Sequence, residues 1–324
     1  MPYYLGADLG GTKTHIIIAN ECGQVVGFGK AGPGNPQGIG YEAMFETLSQ
    51  AVDEALSQAH LTLTDIHGAG FSIAGYDWPS DKPPMLAALN RLNLVCPFHF
   101  VNDTIPGIVA GTKEGWGVSV VSGTGCNCRG WDREHKREGR VTGYSLWMGE
   151  AAGAGELVAR AMQIVSYSWC KRLPPTALTD AFIKHAGAKN IEDLLEGYTA
   201  GRYAVGADAA SIVFDVAERG DTPAIDVIRW AGEELGEMAN AVIRQLEFET
   251  LNFEVVMIGG MFAAGGLLIE SMRAKIHSLA PGAKLVRLHV PPVIGSVMIG
   301  MEQGGLRPTP EIRQTLIDTF PEKP

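Results

Sequence analysis

Basic residues are the scarcer charged class in this sequence, and their shortage excludes one group of functions. The chain of 324 residues contains 26 Lys and Arg against 36 Asp and Glu, which gives a net charge of −10 and a pI near 5.3. Proteins that bind nucleic acid normally carry a basic patch or a basic excess. We therefore expect no nucleic-acid partner, and an anionic substrate would be held locally by backbone N–H groups and a metal ion.

Long apolar runs, a leader sequence and paired cysteines are missing as well. No run reaches the roughly 20 apolar residues that span a bilayer, and the N-terminal MPYYLGADLGG has no basic stretch followed by an apolar one. The five cysteines are odd in number, and Cys126-Asn127-Cys128 has no second pair at zinc spacing. These absences predict a cytoplasmic protein with free thiols and no membrane partner.

The order of the predicted elements indicates an α/β fold. Three short strands open the chain, and a helix over Tyr41–Ala59 follows, with apolar residues spaced by four at Met44, Leu48, Val52 and Leu56. After two further strands, the strand–turn–strand pattern restarts at Gly117–Ser122. The basic stretch Asp132–Arg140 is predicted to be an exposed hairpin tip, with a third strand over Val141–Tyr144. We therefore expect mixed sheets flanked by helices.

Length and the repeated pattern predict two domains. A chain of this size exceeds one ordinary core. We expect domains at residues 1–112 and 113–324, the second with a helical insertion, and a cleft between them. The final predicted helix, Ile294–Met301, would return to the first domain. Apolar segments in Gly201–Phe214 are expected to be exposed, and they would allow a homodimer.

The turn Asp8-Leu9-Gly10-Gly11-Thr12 joins two predicted strands. A Walker A loop or a Rossmann fingerprint would open a helix, so this context excludes both. Paired glycines let successive backbone N–H groups surround an anion. Thr12 would add a hydroxyl, and Asp8 a carboxylate for a water-bridged Mg²⁺. Taken alone, the turn fits an ordinary hairpin equally well.

Two further glycine turns occupy related places in the second half. Ser122-Gly123-Thr124-Gly125 joins two apolar strands, as the first turn does, and Gly259-Gly260 follows the strand Val255–Ile258. Each is a weak signal alone, but the recurrence predicts two phosphate-binding turns that face one cleft. The later glycines, at the carboxyl end of a strand, would let an adenine ring lie on the backbone. A plain strand-to-helix turn is the alternative.

Polar residues that follow strands are candidates for binding the phosphate acceptor. Asp103 comes after the strand Phe98–Val101 and could take the proton of a substrate hydroxyl, although its position alone favours a helix N-cap. Asn35 and Asp77 lie on loops after strands, where such side chains either bind sugar hydroxyls or form turns. Glu150 could bind a sugar or favour a helix N-terminus.

The ordered set of motifs resembles that of the N-acetylglucosamine kinase and BadF-type ATPase family, within the actin, hexokinase and Hsp70 superfamily. The motifs are DLGGTKT, GPGN, SIAGYD, VNDT, SGTGCNC, GYSLWMGE, MIGGMF and VIGSVMIG, and they run from about Tyr3 to Met301. The resemblance implies two ribonuclease-H-like, actin-like ATPase domains that close over ATP and a sugar in a central cleft.

The resemblance also implies a role for each matching residue. The nucleotide positions are Gly10, Gly11 and Thr12 in a first phosphate turn, Thr124 and Gly125 in a second, and Gly259 and Gly260 in an adenosine motif. Asp103 would be the catalytic base rather than a cap. The sugar-lining positions are Asn35, Cys126, Asn127, Gly143, Tyr144 and Glu150, with Ser72 and Asp77 as weaker matches.

The chain departs from the family pattern on the sugar side. Glu150 stands where the family has an aspartate, and a serine of the same motif is missing. Tyr144 replaces a common tryptophan, and Cys126 replaces a serine beside the phosphate turn. The zinc-binding cysteine cluster of the ROK sugar kinases is absent from the sequence. The sugar is therefore left open among N-acetylglucosamine, glucosamine, glucose and related sugars.

The resemblance predicts transfer of the γ-phosphoryl group of Mg·ATP to a sugar hydroxyl, O6 of an amino sugar. The sequence leaves three alternative functions open. One is a glucose-type hexokinase, and another is a non-catalytic sugar sensor with a kinase fold. The third is an ATPase that activates an iron–sulphur dehydratase or reductase, which would need exposed cysteines at a dimer interface.

Overall fold

The computed structural model describes residues 1–141 and 145–321, and its first sheet contains five strands. They are β1 (Tyr3–Leu9), β2 (Thr14–Asn20), β3 (Val25–Ala31), β4 (Ile66–Ile73) and β5 (Phe98–Asn102). Their order is β3-β2-β1-β4-β5, with β1 to β3 an antiparallel meander and β4 and β5 parallel to β1. The carboxyl ends of the three parallel strands therefore share one edge.

The second sheet repeats this arrangement. Its strands are β6 (Gly117–Ser122), β7 (Cys126–Trp131), β8 (Glu138–Val141), β9 (Phe253–Ile258) and β10 (Ala283–Arg287). The order β8-β7-β6-β9-β10 again joins a meander to two parallel strands. The prediction of an α/β fold with two similarly built halves is thus confirmed.

The strand β8 begins earlier than predicted. Glu138 was expected in an exposed tip, but it pairs with Trp131 on β7, and its carboxylate accepts a hydrogen bond from Arg129 Nη1 at 2.6 Å. These contacts extend the ladder back into the basic stretch. The predicted third strand over Val141–Tyr144 is therefore wrong in its start, and residues 142–144 lie outside the described residues.

Helices cover both sheets. They are α1 (Pro36–Ala59), α2 (Lys82–Asn90), α3 (Ile105–Gly111), α4 (Ala154–Trp169), α5 (Leu178–Ala186), α6 (Ile191–Thr199), α7 (Ala210–Glu218), α8 (Thr222–Leu246), α9 (Gly266–Leu279), α10 (Val293–Gln303) and α11 (Pro310–Thr319). On α1, the apolar residues spaced by four are all buried, as their period predicts: Met44, Leu48, Val52 and Leu56. The sequence reasoning missed α11.

Two helices hold the halves together. α3 contacts β5 of the first sheet and β6, β7 and β9 of the second. α10 comes after the last strand of the second sheet, yet it packs on β1 and β4 of the first. Glycines allow this approach, because a Cβ at Gly6 would lie 2.4 Å from Val297 N and one at Gly70 would lie 2.1 Å from Ser296 O. The division at residue 112 stays a prediction.

The prediction that the apolar segments of Gly201–Phe214 are exposed is wrong. Helix α7 packs against α4 and α8, which takes these side chains into the core of the second half. The buried apolar residues are Val205, Ala209, Ala210, Val213 and Phe214. Most of the apolar side chains in this segment are therefore not available as a surface for a homodimer. Over the described ranges, no helix has the length and apolar character needed to cross a bilayer.

Candidate active site

The parallel strands of the first sheet bring two predicted carboxylates to one edge. In the ladder, Asp8 on β1 is the Cα partner of Ser72 on β4, and Ser72 is the partner of Val101 on β5. Asp103 follows two residues later, so both aspartates lie at the carboxyl edge of the sheet. The Ser72 hydroxyl donates to Asp8 Oδ1 at 2.7 Å. The hydroxyl of Ser72, a weaker sugar-binding candidate, is thus already engaged in a hydrogen bond to Asp8.

The first glycine turn is open on its outer side. Gly10 N donates to Lys13 O at 3.0 Å, and Gly10 O accepts from Gly34 N at 2.9 Å, which fixes the turn between β1 and β2. Gly11 and Thr12 are exposed. A Cβ added at Gly11 would meet no atom within 4 Å. The backbone at Gly11 is therefore accessible to a group the size of a phosphate.

The second glycine turn is held by the start of α4. Gly123 N donates to Gly125 O at 2.9 Å and closes the turn. Ala154 N and Gly155 N, in the first turn of α4, donate to Gly123 O at 2.8 Å and to Thr124 O at 3.1 Å. Thr124 and Gly125 remain exposed. The turn is thus rigidly supported from behind and open in front.

The third glycine pair lies beside this second turn. Strands β6 and β9 are parallel, with Val121 opposite Ile258, so Gly259 emerges next to Ser122. Gly259 has a φ of +111°, and a Cβ there would lie 2.2 Å from Ser122 O. Gly260 is exposed, with no atom within 4 Å of an added Cβ. The structure therefore brings together two of the three predicted nucleotide elements.

Asp103 is not a helix cap. The N-cap of α3 is Thr104, whose N–H donates to Asn102 Oδ1 at 3.0 Å, so the interpretation that position alone favoured is wrong. Burial raises the pKa of Asp103 to about 7, with a further contribution from the carboxylates of Asp8 and Asp77. The Arg129 guanidinium opposes this rise. A carboxyl group with this pKa can take a proton near neutral pH.

Alternate residues of β7 face the first half of the molecule. Arg129 Nη2 lies 2.7 Å from Asp77 Oδ1, and the Trp131 ring stacks on His99 of β5 with centroids 6.2 Å apart. Asn127 has the same parity on the strand and shares this face. Its Oδ1 atom is buried and has no hydrogen-bond partner among the described residues. Asn127 therefore has an unused acceptor on the face that carries Arg129.

The cysteines of β7 have the opposite parity and lie in the core of the second half. Burial raises the pKa of the Cys126 thiol to about 12, and burial also raises that of Cys128. Cys126 Sγ accepts from Ala152 N at 3.3 Å. Both thiols are therefore poor nucleophiles and poor metal ligands in this setting.

Asn35 and Asp77 lie close together on the first half. Asn35 caps α1, because its Oδ1 accepts from Gln37 N at 2.9 Å, and a Cβ at Gly75 would lie 2.4 Å from that oxygen. Gln37 Nε2 donates to Gly75 O at 3.1 Å and to Asp77 Oδ2 at 3.3 Å. Both predicted sugar-binding side chains therefore already accept hydrogen bonds from the protein.

Three predicted sugar-lining positions remain: Gly143, Tyr144 and Glu150. Gly143 and Tyr144 lie outside the described residues. Glu150 precedes the first helix of the second half and raises the pKa of Cys126, so it lies near that sulphur. The helix α4 begins only at Ala154, with Glu156 as the acidic residue of its first turn. Glu150 therefore does not support the helix N-terminus.

Sequence reasoning missed Arg129, which joins the two halves at the site. The signal was present, since arginine is the one charged residue in the strand Cys-Asn-Cys-Arg-Gly-Trp. It stands two residues after Asn127 and therefore shares its face. A charge inside an otherwise apolar strand needs a buried partner, but the partner's identity could not be read from the sequence.

The donor set at this edge fits a magnesium ion carried with nucleotide phosphates. Within the described ranges, no group of three His, Cys, Asp or Glu side chains could hold a metal unaided. Burial raises the pKa of Asp8 as well as that of Asp103, and the two carboxylates repel. Mg²⁺ typically uses one or two carboxylates together with substrate phosphates, and a cation there would relieve the repulsion.

The chain is similar to sugar kinases over nearly all of its length. It is 24% identical to the N-acetylmuramic acid/N-acetylglucosamine kinase of Clostridium acetobutylicum, over 94% of this chain and 99% of that protein. It is 22% identical to the N-acetyl-D-glucosamine kinase of Dictyostelium discoideum, over 92% and 97%.

A solved structure shares the fold. It is that of a Chromobacterium violaceum protein described as a candidate N-acetylglucosamine kinase, with a TM-score of 0.63 and 20% identity over 92% of this chain and 99% of that one. The resemblance seen in the motifs is also confirmed at the level of the family, because residues 5–300 match its sequence pattern. The chain belongs to the BadF/BadG/BcrA/BcrD ATPase family.

Proposed function

We propose that this protein is an ATP-dependent sugar kinase that phosphorylates O6 of N-acetylglucosamine or glucosamine and releases ADP. The observation that carries the proposal is Asp103, a carboxyl group with a pKa of about 7 at the edge of the first sheet, beside the glycine turn of β1 and β2. The two curated relatives support the acceptor class, since both are kinases of N-acetylated amino sugars and align over more than nine-tenths of the chain.

The glycine turns form the nucleotide side of the proposed site. Backbone N–H groups of Gly11 and Thr12 in the first turn, and of Thr124 and Gly125 in the second, would bind the β- and γ-phosphates. These four residues are exposed, and a Cβ at Gly11 or Gly125 would meet no atom within 4 Å. Gly10 would shape the first turn, because its N–H already donates to Lys13 O. Gly259 and Gly260 would receive the adenosine. Asp8 would hold Mg²⁺ through water, and the ion would neutralise charge on the phosphates during transfer.

The proposed reaction is in-line displacement at the γ-phosphorus. Asp103 orients the sugar hydroxyl and takes its proton, while the oxygen of that hydroxyl forms the new bond to phosphorus. The bond from phosphorus to the bridging oxygen of ADP breaks, and ADP leaves with the electron pair. Closure of the two halves would exclude water, which otherwise competes with the sugar as acceptor.

The sugar side of the proposed site is built around β7. Asn127 is the strongest candidate for binding the sugar, because its buried Oδ1 can accept a hydrogen bond from a sugar hydroxyl without losing a hydrogen bond to the protein. Asn35, Asp77 and Glu150 would complete the wall, whereas Cys126 lies on the core face of β7 and would act only by supporting Asn127 from behind. Gly143 and Tyr144 belong to the same proposal through the family pattern alone.

The activator of an iron–sulphur enzyme is disfavoured by the position of the cysteines. Cys126 and Cys128 lie on the core face of β7, and the other three thiols belong to separate segments of the chain: Cys22, Cys96 and Cys170. Iron analysis of protein purified without oxygen separates the two functions. The kinase proposal expects no stoichiometric iron, and one cluster per dimer would favour the activator.

A coupled ADP-release assay across hexoses and amino sugars tests the proposal. With Mg·ATP, N-acetylglucosamine or glucosamine should stimulate ADP release at least about tenfold over the sugar-free rate, as expected for water exclusion. Phosphorus NMR of the product should show coupling of the phosphate to the two protons on C6. Preference for glucose would identify a hexokinase instead, and sugar-independent release would contradict the proposal.

A further inference from the structure

Arg129 is an almost fully buried cation between two carboxylates. Its side chain is 1% exposed, Nη2 lies 2.7 Å from Asp77 Oδ1, and Nη1 lies 2.6 Å from Glu138 Oε1. Its Nε has no acceptor within the part of the chain that the structure describes. Such a burial is costly and is a weak source of stability by itself. A role in positioning other groups would account for it.

Hydrogen bonds lead from Arg129 to the backbone around Asp103. The Asp77 oxygen that Arg129 contacts also accepts from Asn102 Nδ2 at 3.2 Å. Asn102 in turn accepts from Thr104 N through its Oδ1 at 3.0 Å. The Asn102 side chain therefore links the ion pair to Thr104, so the residues before and after Asp103 are both held in place.

A second connection reaches the same backbone from β6. The Ser119 hydroxyl is buried and lies 3.2 Å from Thr104 O, to which it donates, and 3.4 Å from Arg129 O. Strands β6 and β7 are also the two strands joined by the turn Ser122–Gly125. Both connections therefore tie Asp103, on the first half, to the strands that carry the second glycine turn.

We propose that Arg129 is a positioning residue for phosphoryl transfer, which fixes Asp103 relative to the turn Ser122–Gly125 and balances the negative charge around it. The inference rests on the proposed function for its role in catalysis. Arg129 belongs to the second half of the molecule, and the proposed base Asp103 belongs to the first. Arg129 would therefore hold the sugar-binding part of the site in a fixed position relative to the phosphate-binding turn.

The charges around Asp103 make this inference testable. Among the residues that the structure describes, the charged groups that act on its carboxyl are Asp8 from β1, Asp77 from the loop after β4, and Arg129 from β7. Asp8 and Asp77 raise the pKa of Asp103, and Arg129 lowers it. The two members of one ion pair therefore act on Asp103 in opposite directions.

The experiment compares the pH dependence of kcat/KM for the variants Arg129→Met and Asp77→Asn. Activity requires deprotonated Asp103, so the rate falls on the acid side of its pKa. Loss of the cation should move this acid limb up by about half a pH unit or more, and loss of the Asp77 charge should move it down. Shifts of the acid limb in the same direction in both variants, or no shift in either, would overturn the proposal. A purely structural role for Arg129 does not predict that the two substitutions move the limb in opposite directions.

Two further variants control for folding and for charge in general. Arg129→Lys keeps the cation but not the forked contact, so the limb should stay within about 0.3 pH units of wild type while kcat falls about tenfold. Arg160→Met removes an arginine of α4 that lies over the Trp230 ring of α8 and does not act on the Asp103 carboxyl, so it should leave the limb in place. Two outcomes would contradict the proposal: a shift of the acid limb in Arg129→Lys well above ~0.3 pH units, or a shift in Arg160→Met as large as that in Arg129→Met.

A readout without activity separates this inference from the proposed function. The Tm of each protein is compared over pH 5–9 with that of the same protein carrying Asp103→Asn. The pH range over which this Tm difference changes reports the pKa of Asp103. This pH range should lie higher than in wild type for Arg129→Met and lower for Asp77→Asn. If wild type phosphorylates no sugar, the proposed function fails, and these shifts still decide the role of Arg129. Should Arg129→Met not fold, Asp77→Asn and Arg129→Lys decide by the same comparison.

Discussion

Gly259 and Ser122 touch through their backbones at the point where the strands β9 and β6 end. A Cβ at Gly259 would lie 2.2 Å from the Ser122 carbonyl oxygen, and the φ of Gly259 is +111°. Both facts require glycine, since L side chains avoid this backbone region and no atom fits at that distance. The proposed adenosine motif and the second phosphate turn therefore form one unit, in which a change at one glycine displaces the other element.

The substitution Gly259→Ala should reduce both stability and nucleotide binding. The added methyl group must push the second turn away or force a strained backbone, at a cost of about 2–4 kcal/mol in the free energy of unfolding. The Kd for Mg·ATP should rise at the same time. Thermal unfolding and isothermal titration measure the two effects on one sample.

Gly260→Ala is the matched control for that prediction. A Cβ at Gly260 meets no atom within 4 Å, so the Tm should remain within about 2 °C of wild type, since only an exposed position changes. The methyl group would still enter the proposed adenosine site, so the Kd for ATP should rise. An unchanged Kd in both variants would place the nucleotide elsewhere.

Asn127→Ala should weaken sugar binding without weakening ATP binding. The buried Oδ1 of Asn127 is the acceptor proposed for a sugar hydroxyl, and its loss should raise the KM for the sugar about 10–100-fold. The KM for ATP should stay within about twofold, because the change lies on the acceptor side. Steady-state kinetics with each substrate varied in turn measure both constants.

Asn240→Ala controls for the loss of a buried amide as such. Asn240 on α8 also has a buried Oδ1 without a partner among the described residues, and its Nδ2 donates to Lys275 O. Its replacement should lower the Tm but leave the KM for the sugar unchanged. Equal effects of the two substitutions on that KM would argue against direct sugar contact by Asn127.

Asp103→Asn should stabilise the protein at neutral and alkaline pH. The pKa of Asp103 is raised in the folded protein to about 7, so folding favours the neutral carboxyl group. Wild type therefore loses stability as the pH rises from about 4 to 7, where the unfolded chain is ionised and the folded one is not. The asparagine variant does not titrate there and should become more stable than wild type by on the order of 4 kcal/mol at pH 8.

Thermal unfolding of both proteins between pH 4 and pH 8 measures this difference. The stability gap should be small near pH 4, widen up to pH 7 and then level off. A gap that is constant over the whole range would mean that Asp103 ionises normally.

The fold was predictable because its signals are local. Strand–turn–strand patterns recur in both halves, and the spacing of Met44, Leu48 and Val52 alone indicates which face of α1 is buried. Errors arose where distant contacts decide the structure. Glu138 belongs to a strand because Arg129 and Trp131 bind it, and Phe214 is buried because α4 and α8 cover α7.

The candidate site was predictable in its residues more than in its connections. The glycine turns and Asp103 are visible in the sequence as motifs. The ion pair between Arg129 and Asp77 joins residues 52 positions apart on different halves, and no local pattern encodes such a pairing. The interpretation of Asp103 as a helix cap was wrong by one residue. Thr104 is the N-cap of α3, and the Asn102 side chain accepts the hydrogen bond from the Thr104 N–H.

The most direct test of the account is sugar-dependent ADP release by wild type and by Asp103→Asn, with ATP binding measured on the same preparations. Wild type should release ADP only when the amino sugar is present. The variant should lose about 100-fold or more of kcat, as expected for removal of a general base, and keep its Kd for Mg·ATP within about threefold, since the turns are intact. A variant that retains more than about a tenth of the wild-type turnover, a loss far below that expected for a general base, would contradict the role of Asp103 and with it the proposed site.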